Sequence, residues 1–109
     1  MILYGIKNCD SVKKARKFFE ANDVVYTFHD VREDGLNEQK VSGWLKVVGI
    51  DVLLNKRSTT WKALTEAEKL SVDTTLLCKY PTLIKRPILE VKGRVLVGYK
   101  EQEYKVIIV

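Results

Sequence analysis

The sequence predicts a mixed α/β fold: a β-α-β unit, then a run of helices, then a β-hairpin and a final helix. Three observations carry this reading. A short apolar run, Ile2 to Ile6, precedes a basic amphipathic segment and then a β-branched, aromatic run from Val24 to His29. Residues 37–48 and 73–80 space their apolar positions as helices do. After Pro81, two apolar runs flank Lys92-Gly93, a pair suited to a tight hairpin turn.

Each element has its own warrant. Ile2-Leu3-Tyr4-Gly5-Ile6 reads as a short buried strand. Residues 10–22 read as a helix whose apolar stripe is Val12, Ala15, Phe18 and Phe19, with Lys13, Lys14, Arg16 and Lys17 on its wet faces. Asn22-Asp23 turns the chain, and Val24 to His29 supplies a second strand, parallel to the first through a right-handed crossover. Asp34-Gly35 is a break, after which Val41, Trp44, Leu45 and Val48 face inward from a helix that Gly49 ends. Leu53-Leu54 leads into a polar segment, Asn55 to Thr60. Thr65 with Glu68 forms a capping box for a short helix, and residues 73–80 add another helical stretch. Ile88 to Val91 and Val95 to Gly98 form the hairpin. Residues 100–109 read as a terminal helix over the sheet, although Val106 to Val109 fit extended chain equally well.

Size and charge bound the function. With 109 residues, 46% of them hydrophobic, the chain is long enough for one domain with one core and too short for two. A net charge of +5 suits an anionic ligand or an acidic protein surface. The basic residues are dispersed and no aromatic-basic motif accompanies them, so no direct nucleic-acid contact is expected. No signal segment and no bilayer-length apolar run is evident, so a soluble cytoplasmic protein is expected, with no membrane association. Two distant cysteines and a single histidine provide neither a disulfide framework nor a zinc site, and no metal is expected.

Cys9 carries the most chemical information. It follows the first strand and opens the basic helix, where unpaired backbone N–H groups carry partial positive charge and favour thiolate over thiol. Lys13 lies one turn on, and Lys7 flanks the loop; both add to this effect, while Asp10 opposes it. Cys78 sits among Leu76 and Leu77 and reads as a packing residue, as do Trp44 and Trp61. His29 reads as a structural residue that ends the second strand.

The element order is that of a thioredoxin-like fold with a helical insertion at about residues 37–80, within one domain spanning 1–109. Three stretches resemble the ArsC/Spx-like branch of that superfamily, and most of all its short YffB-type members: Tyr4 to Ala15, Leu53 to Trp61, and Leu83 to Leu89. Together they cover nearly the whole chain. The resemblance implies a catalytic cysteine at Cys9 and anion-binding side chains at Arg86 and, by looser correspondence, Arg57; Lys13, one turn beyond the thiol, is expected to help bind the anion. It also implies a cis-proline at Pro87 beside the cysteine. Asn8 and Ser11 are expected to support this site.

Departures from the arsenate-reducing pattern narrow the function. No histidine precedes Cys9, and Asn55 stands where that pattern prefers arginine. Val12 occupies the place of a resolving cysteine, which removes the local dithiol mechanism. The expected activity is therefore that of a monothiol oxidoreductase with no bound cofactor, which reduces an oxidised thiol or oxyanion substrate using glutathione as co-substrate. A monomer is expected. Two rivals stand beside it: a non-enzymatic protein-binding regulator of the Spx kind, whose members contact RNA polymerase, and a genuine arsenate reductase.

Overall fold

Residues 1–108 are described by a computed structural model, in which the chain forms two compact units: Met1–Asp34 with Arg86–Val109, and Gly35–Lys85. The first unit is built on a four-stranded sheet in the order β2-β1-β3-β4. Its strands are β1 (Ile2–Gly5), β2 (Thr27–Asp30), β3 (Ile88–Val91) and β4 (Arg94–Val97). β1 pairs in parallel with β2 and antiparallel with β3, and β3 pairs antiparallel with β4. Helix α1 (Asp10–Ala21) makes the crossover between the two parallel strands, as the sequence predicts.

Strand alternation decides what the sheet buries. Leu3, Leu89, Val91 and Leu96 point to one face and pack with Ala15 and Phe19 of α1 and with Tyr104 and Ile107 of the C-terminal helix, α7 (Glu101–Ile107). Aromatic rings dominate this core. Phe19 stacks on Tyr104 at 5.4 Å between centroids and lies 4.9 Å from Tyr26, while Tyr99 meets Tyr104 edge-on at 4.8 Å. The other face carries Tyr4, whose hydroxyl donates to Glu90 Oε1 at 3.0 Å and whose ring lies 4.9 Å from that of His29.

The hairpin between β3 and β4 turns on Lys92 and Gly93, both at positive φ (49° and 75°), the pairing that matches the twist of the flanking strands. The second strand is shorter and later than the sequence predicts. Val24 donates its N–H to Phe19 O and Val25 is almost fully exposed, so pairing begins only at Thr27, whose N–H meets Met1 O. Val24 and Tyr26 are apolar because they pack on the core from outside the ladder. Of the C-terminal segment, residues 101–107 are helical, and Val109 lies outside the described residues.

The second unit holds α2 (Glu38–Val48), α3 (Ile50–Leu53), α4 (Thr59–Ala63), α5 (Glu66–Leu70) and α6 (Thr74–Lys79), followed by a 3₁₀ turn at Pro81–Leu83. Val41, Trp44, Leu53, Leu54, Leu64, Leu77, Leu83 and Ile84 form its buried set. Gly49 ends α2 at φ 82°, where only glycine is unstrained. Thr65 and Glu68 close the expected capping box. α4 was not foreseen: Ser58 caps it by accepting the Trp61 N–H at 3.1 Å, within what reads in sequence as a polar loop.

Candidate active site

Cys9 is the N-cap of α1, with extended backbone (φ −85°, ψ 128°) and a half-buried side chain. Its N–H donates to Ile6 O at 3.1 Å and its carbonyl accepts the Lys13 N–H at 2.9 Å, so a tight turn delivers it directly to the helix. The side chain makes no capping hydrogen bond. The first-turn N–H groups of α1 are thus left to an external acceptor, and the helix dipole at that end attracts anions.

Gly5 allows this approach. A Cβ built there would lie 2.5 Å from Cγ2 and 3.0 Å from Cγ1 of Val12, so the helix comes this close to the strand only over glycine. Val12 is fully buried, and the place of a second thiol is filled by core packing.

Arg86 and Pro87 reach the same end of the sheet from the other side. The Arg86–Pro87 peptide bond is cis, Pro87 is buried, and its carbonyl accepts the Gly98 N–H at 2.8 Å. The register pairs Tyr4 with Ile88, so Pro87 enters β3 at the end where β1 leaves toward Cys9. Arg86 is half-buried, with Nε shielded from solvent. Lys13 and Asn8 are exposed, and Ser11 is half-buried in the first turn.

The turn after β2 is closed by a buried carboxylate that sequence reasoning missed. Asp30, 4% exposed at the end of β2, accepts the N–H groups of Arg32 (2.8 Å) and Glu33 (3.1 Å) on Oδ1. Burial pushes its carboxyl up, but these donors and the Lys7 charge outweigh burial and hold it below the usual aspartate range. The Lys7 ammonium pairs with Glu33 at 3.2 Å on the surface. The available signal was an aspartate followed two and three residues later by turn positions, a motif that alone reads as a solvated turn.

Arg57 belongs to the helical unit. It is exposed in the turn before α4, where its N–H donates to Asn55 Oδ1 at 3.1 Å. The structure therefore gathers Cys9, Lys13, Arg86 and Pro87 at one end of the sheet unit, and places Arg57 on the other unit. Cys78, also in the helical unit, is a free thiol that burial pushes up, with the Glu38 charge adding to the effect. Arg16, one of the basic residues of α1, is structural: its Nε donates to the Tyr26 hydroxyl at 3.0 Å and its guanidinium lies 4.2 Å above the Phe28 ring. Among the described residues, no helix is long and apolar enough to cross a membrane.

The chain is similar to known proteins. An uncharacterized protein of Haemophilus influenzae is 47% identical over 107 residues, covering 94% of each chain. The global transcriptional regulator Spx of Listeria innocua is 30% identical over 114 residues, covering 94% of this chain and 82% of its own length. A solved structure titled YFFB protein superposes with a TM-score of 0.93 at 38% identity, over 99% of this chain and 98% of that one. This is the mixed four-stranded thioredoxin-like fold that the sequence predicts. The model of the ArsC family matches residues 4–107, so the chain belongs to the ArsC family.

Proposed function

We propose that the chain is a monothiol oxidoreductase in which Cys9 is the nucleophile and glutathione the reductant. The observation that carries this reading is the half-exposed Cys9 at an uncapped helix N-terminus, beside the buried cis-Pro87 and the cationic Arg86. Membership of the ArsC family supports thiol redox chemistry at this position. Cys9 sulfur attacks one sulfur of an oxidised substrate; the S–S bond breaks, and the leaving sulfur departs with the electron pair and takes a proton from solvent. A glutathione thiolate then attacks the substrate sulfur of the mixed disulfide and returns the electron pair to Cys9. Arg86 and Lys13 bind the anionic groups of the partner.

A coupled assay on a glutathione mixed disulfide tests this. Cys9→Ser should abolish turnover, while Cys78→Ala should leave it within about twofold, because a thiol raised by burial contributes little nucleophile. Arsenate in the same assay reads oxyanion turnover. If the wild-type chain turns over neither substrate, the oxidoreductase reading fails.

One finding favours a second reading, a protein-binding regulator: the relative named as a global transcriptional regulator is matched over most of its length. On that reading Cys9→Ser would leave partner binding unchanged and the coupled assay silent.

A further inference from the structure

We propose that the groove between α1 and α7 is a docking site for an acidic polypeptide segment of a partner protein, one that sets an aromatic side chain between its carboxylates. This site is separate from Cys9 and does not rest on the redox reading.

Helix α1 carries more positive charge than the thiol can use. Arg16 is held by Tyr26 and Phe28, and Lys13 lies one turn from Cys9, which leaves Lys14 and Lys17 without a task. These two lysines line an open groove of about 560 Å³, together with Phe18 of α1, Tyr99, and Glu101 and Lys105 of α7. Lys14, Lys17 and Lys105 are exposed, and among the described residues none of the three forms an ion pair. Glu103 of α7 pairs instead with Lys100 at 3.8 Å, so Glu101 is the acid that lines the groove. Three cations against one anion, on a chain of net charge +5, select an anionic occupant.

The floor adds a second requirement. Phe18 and Tyr99 are half-buried and rest on the buried Tyr104, which Tyr99 meets edge-on at 4.8 Å and Phe18 at 6.1 Å. Rings packed in this way form a fixed apolar surface, and a partner ring can cover it without ordering it first. Burial and the Glu101 charge push the Tyr99 hydroxyl up, so it remains a donor at neutral pH. A peptide meets all of these groups: carboxylates for the lysines, a backbone N–H for Glu101 and an apolar side chain for the floor. Other occupants fit less well. A phosphodiester chain would pass its charges beside Glu101 and would find lysines where arginine forks serve best, and a second copy brings its own positive charge. Phe18 lies about 13 Å along the helix axis from Cys9, so an occupied groove leaves the thiol open.

Titration calorimetry and amide NMR with a blocked peptide of glutamates around one tryptophan test this. The peptide should bind, shifting the amides of Phe18, Tyr99 and Lys105 and leaving those of the helical unit in place. Lys14→Gln, Lys17→Gln and Lys105→Gln together should weaken binding about tenfold or more, and added salt should weaken it in the wild-type chain. Glu101→Gln should tighten binding about twofold. A peptide with glycine in place of the tryptophan should bind about tenfold more weakly. The triple lysine variant should keep Cys9 turnover within about twofold, since its substitutions lie outside that site.

A peptide that does not bind, that shifts residues outside the groove, or that binds the triple variant as tightly as wild type overturns the proposal. So does a single-stranded oligonucleotide that binds the groove more tightly than the peptide, which would assign it to nucleic acid. Self-association in sedimentation that the triple variant abolishes would give the groove to a second copy and overturn the proposal equally.

Discussion

The two units hold their helices by different means. In the helical unit nearly every helix has a side-chain cap: Asn37 accepts the Lys40 N–H, Ser58 that of Trp61, Thr65 that of Glu68, and Asp73 that of Leu76. In the sheet unit neither α1 nor α7 has one; their N-caps are Cys9 and Lys100. Length and burial explain part of this. Helices of five or six residues cannot sustain themselves by propagation and need their first N–H groups satisfied. α1 has twelve residues and lays Val12, Ala15 and Phe19 into the core. Packing holds it, and its N-terminus is left open where Cys9 stands.

If packing holds α1, the largest losses should come from its buried aromatic. Phe19→Ala should cost about 3–5 kcal/mol in urea unfolding, because the ring contacts Tyr26 and Tyr104 and no neighbour can fill the space. Gly5→Ala should follow at about 1–3 kcal/mol, since its new methyl meets Val12. Val12→Ala in the same chain should recover part of that loss, and a purely additive double-mutant cycle would show that the strand–helix contact is not what Gly5 serves.

The caps of the helical unit come next. Asp73→Ala and Thr65→Ala should each cost about 1 kcal/mol. A loss of packing size on removing either cap would break the contrast between the units.

Acid provides a further comparison, between a buried carboxylate and those at the surface. The Asp30 carboxyl is lower in the folded chain than its ordinary value of 3.8, so the unfolded chain binds this proton more readily. Its stabilising contribution is therefore fully present above that value and is lost as pH falls through the folded value. Asp30→Asn should remove this part of the acid limb of the stability curve, and an unaltered acid limb would exclude this carboxylate as its source.

These contrasts also mark what the sequence made legible. Gly49, the Thr65–Glu68 box and the Lys92-Gly93 turn are local signals, each decided by residues within a few positions, and each stands as read. Cys9 at the strand–helix junction was equally plain. β2 was displaced because Val24 and Tyr26 owe their apolar character to packing on the core, which in sequence looks the same as strand pairing. α4 is too short to show a period, and its cap, Ser58, sits in a polar run. Asp30 was missed because its donors, the Arg32 and Glu33 N–H groups, form a local turn that in sequence reads as solvated, and nothing local announces its burial.

The smallest effect bears most directly on why α1 is uncapped. Serine is among the best N-cap residues and cysteine is not, and the extended backbone at position 9 (φ −85°, ψ 128°) is the one an N-cap requires. Cys9→Ser should therefore gain a hydrogen bond from the first turn of α1 and stabilise the chain by about 0.5 kcal/mol in urea unfolding, while abolishing mixed-disulfide formation. A protein that becomes more stable as it loses its reaction would mean that the open helix terminus is maintained for chemistry. If Cys9→Ser is instead less stable than wild type, the thiol itself contributes packing, and the absence of a cap at α1 follows from the core alone.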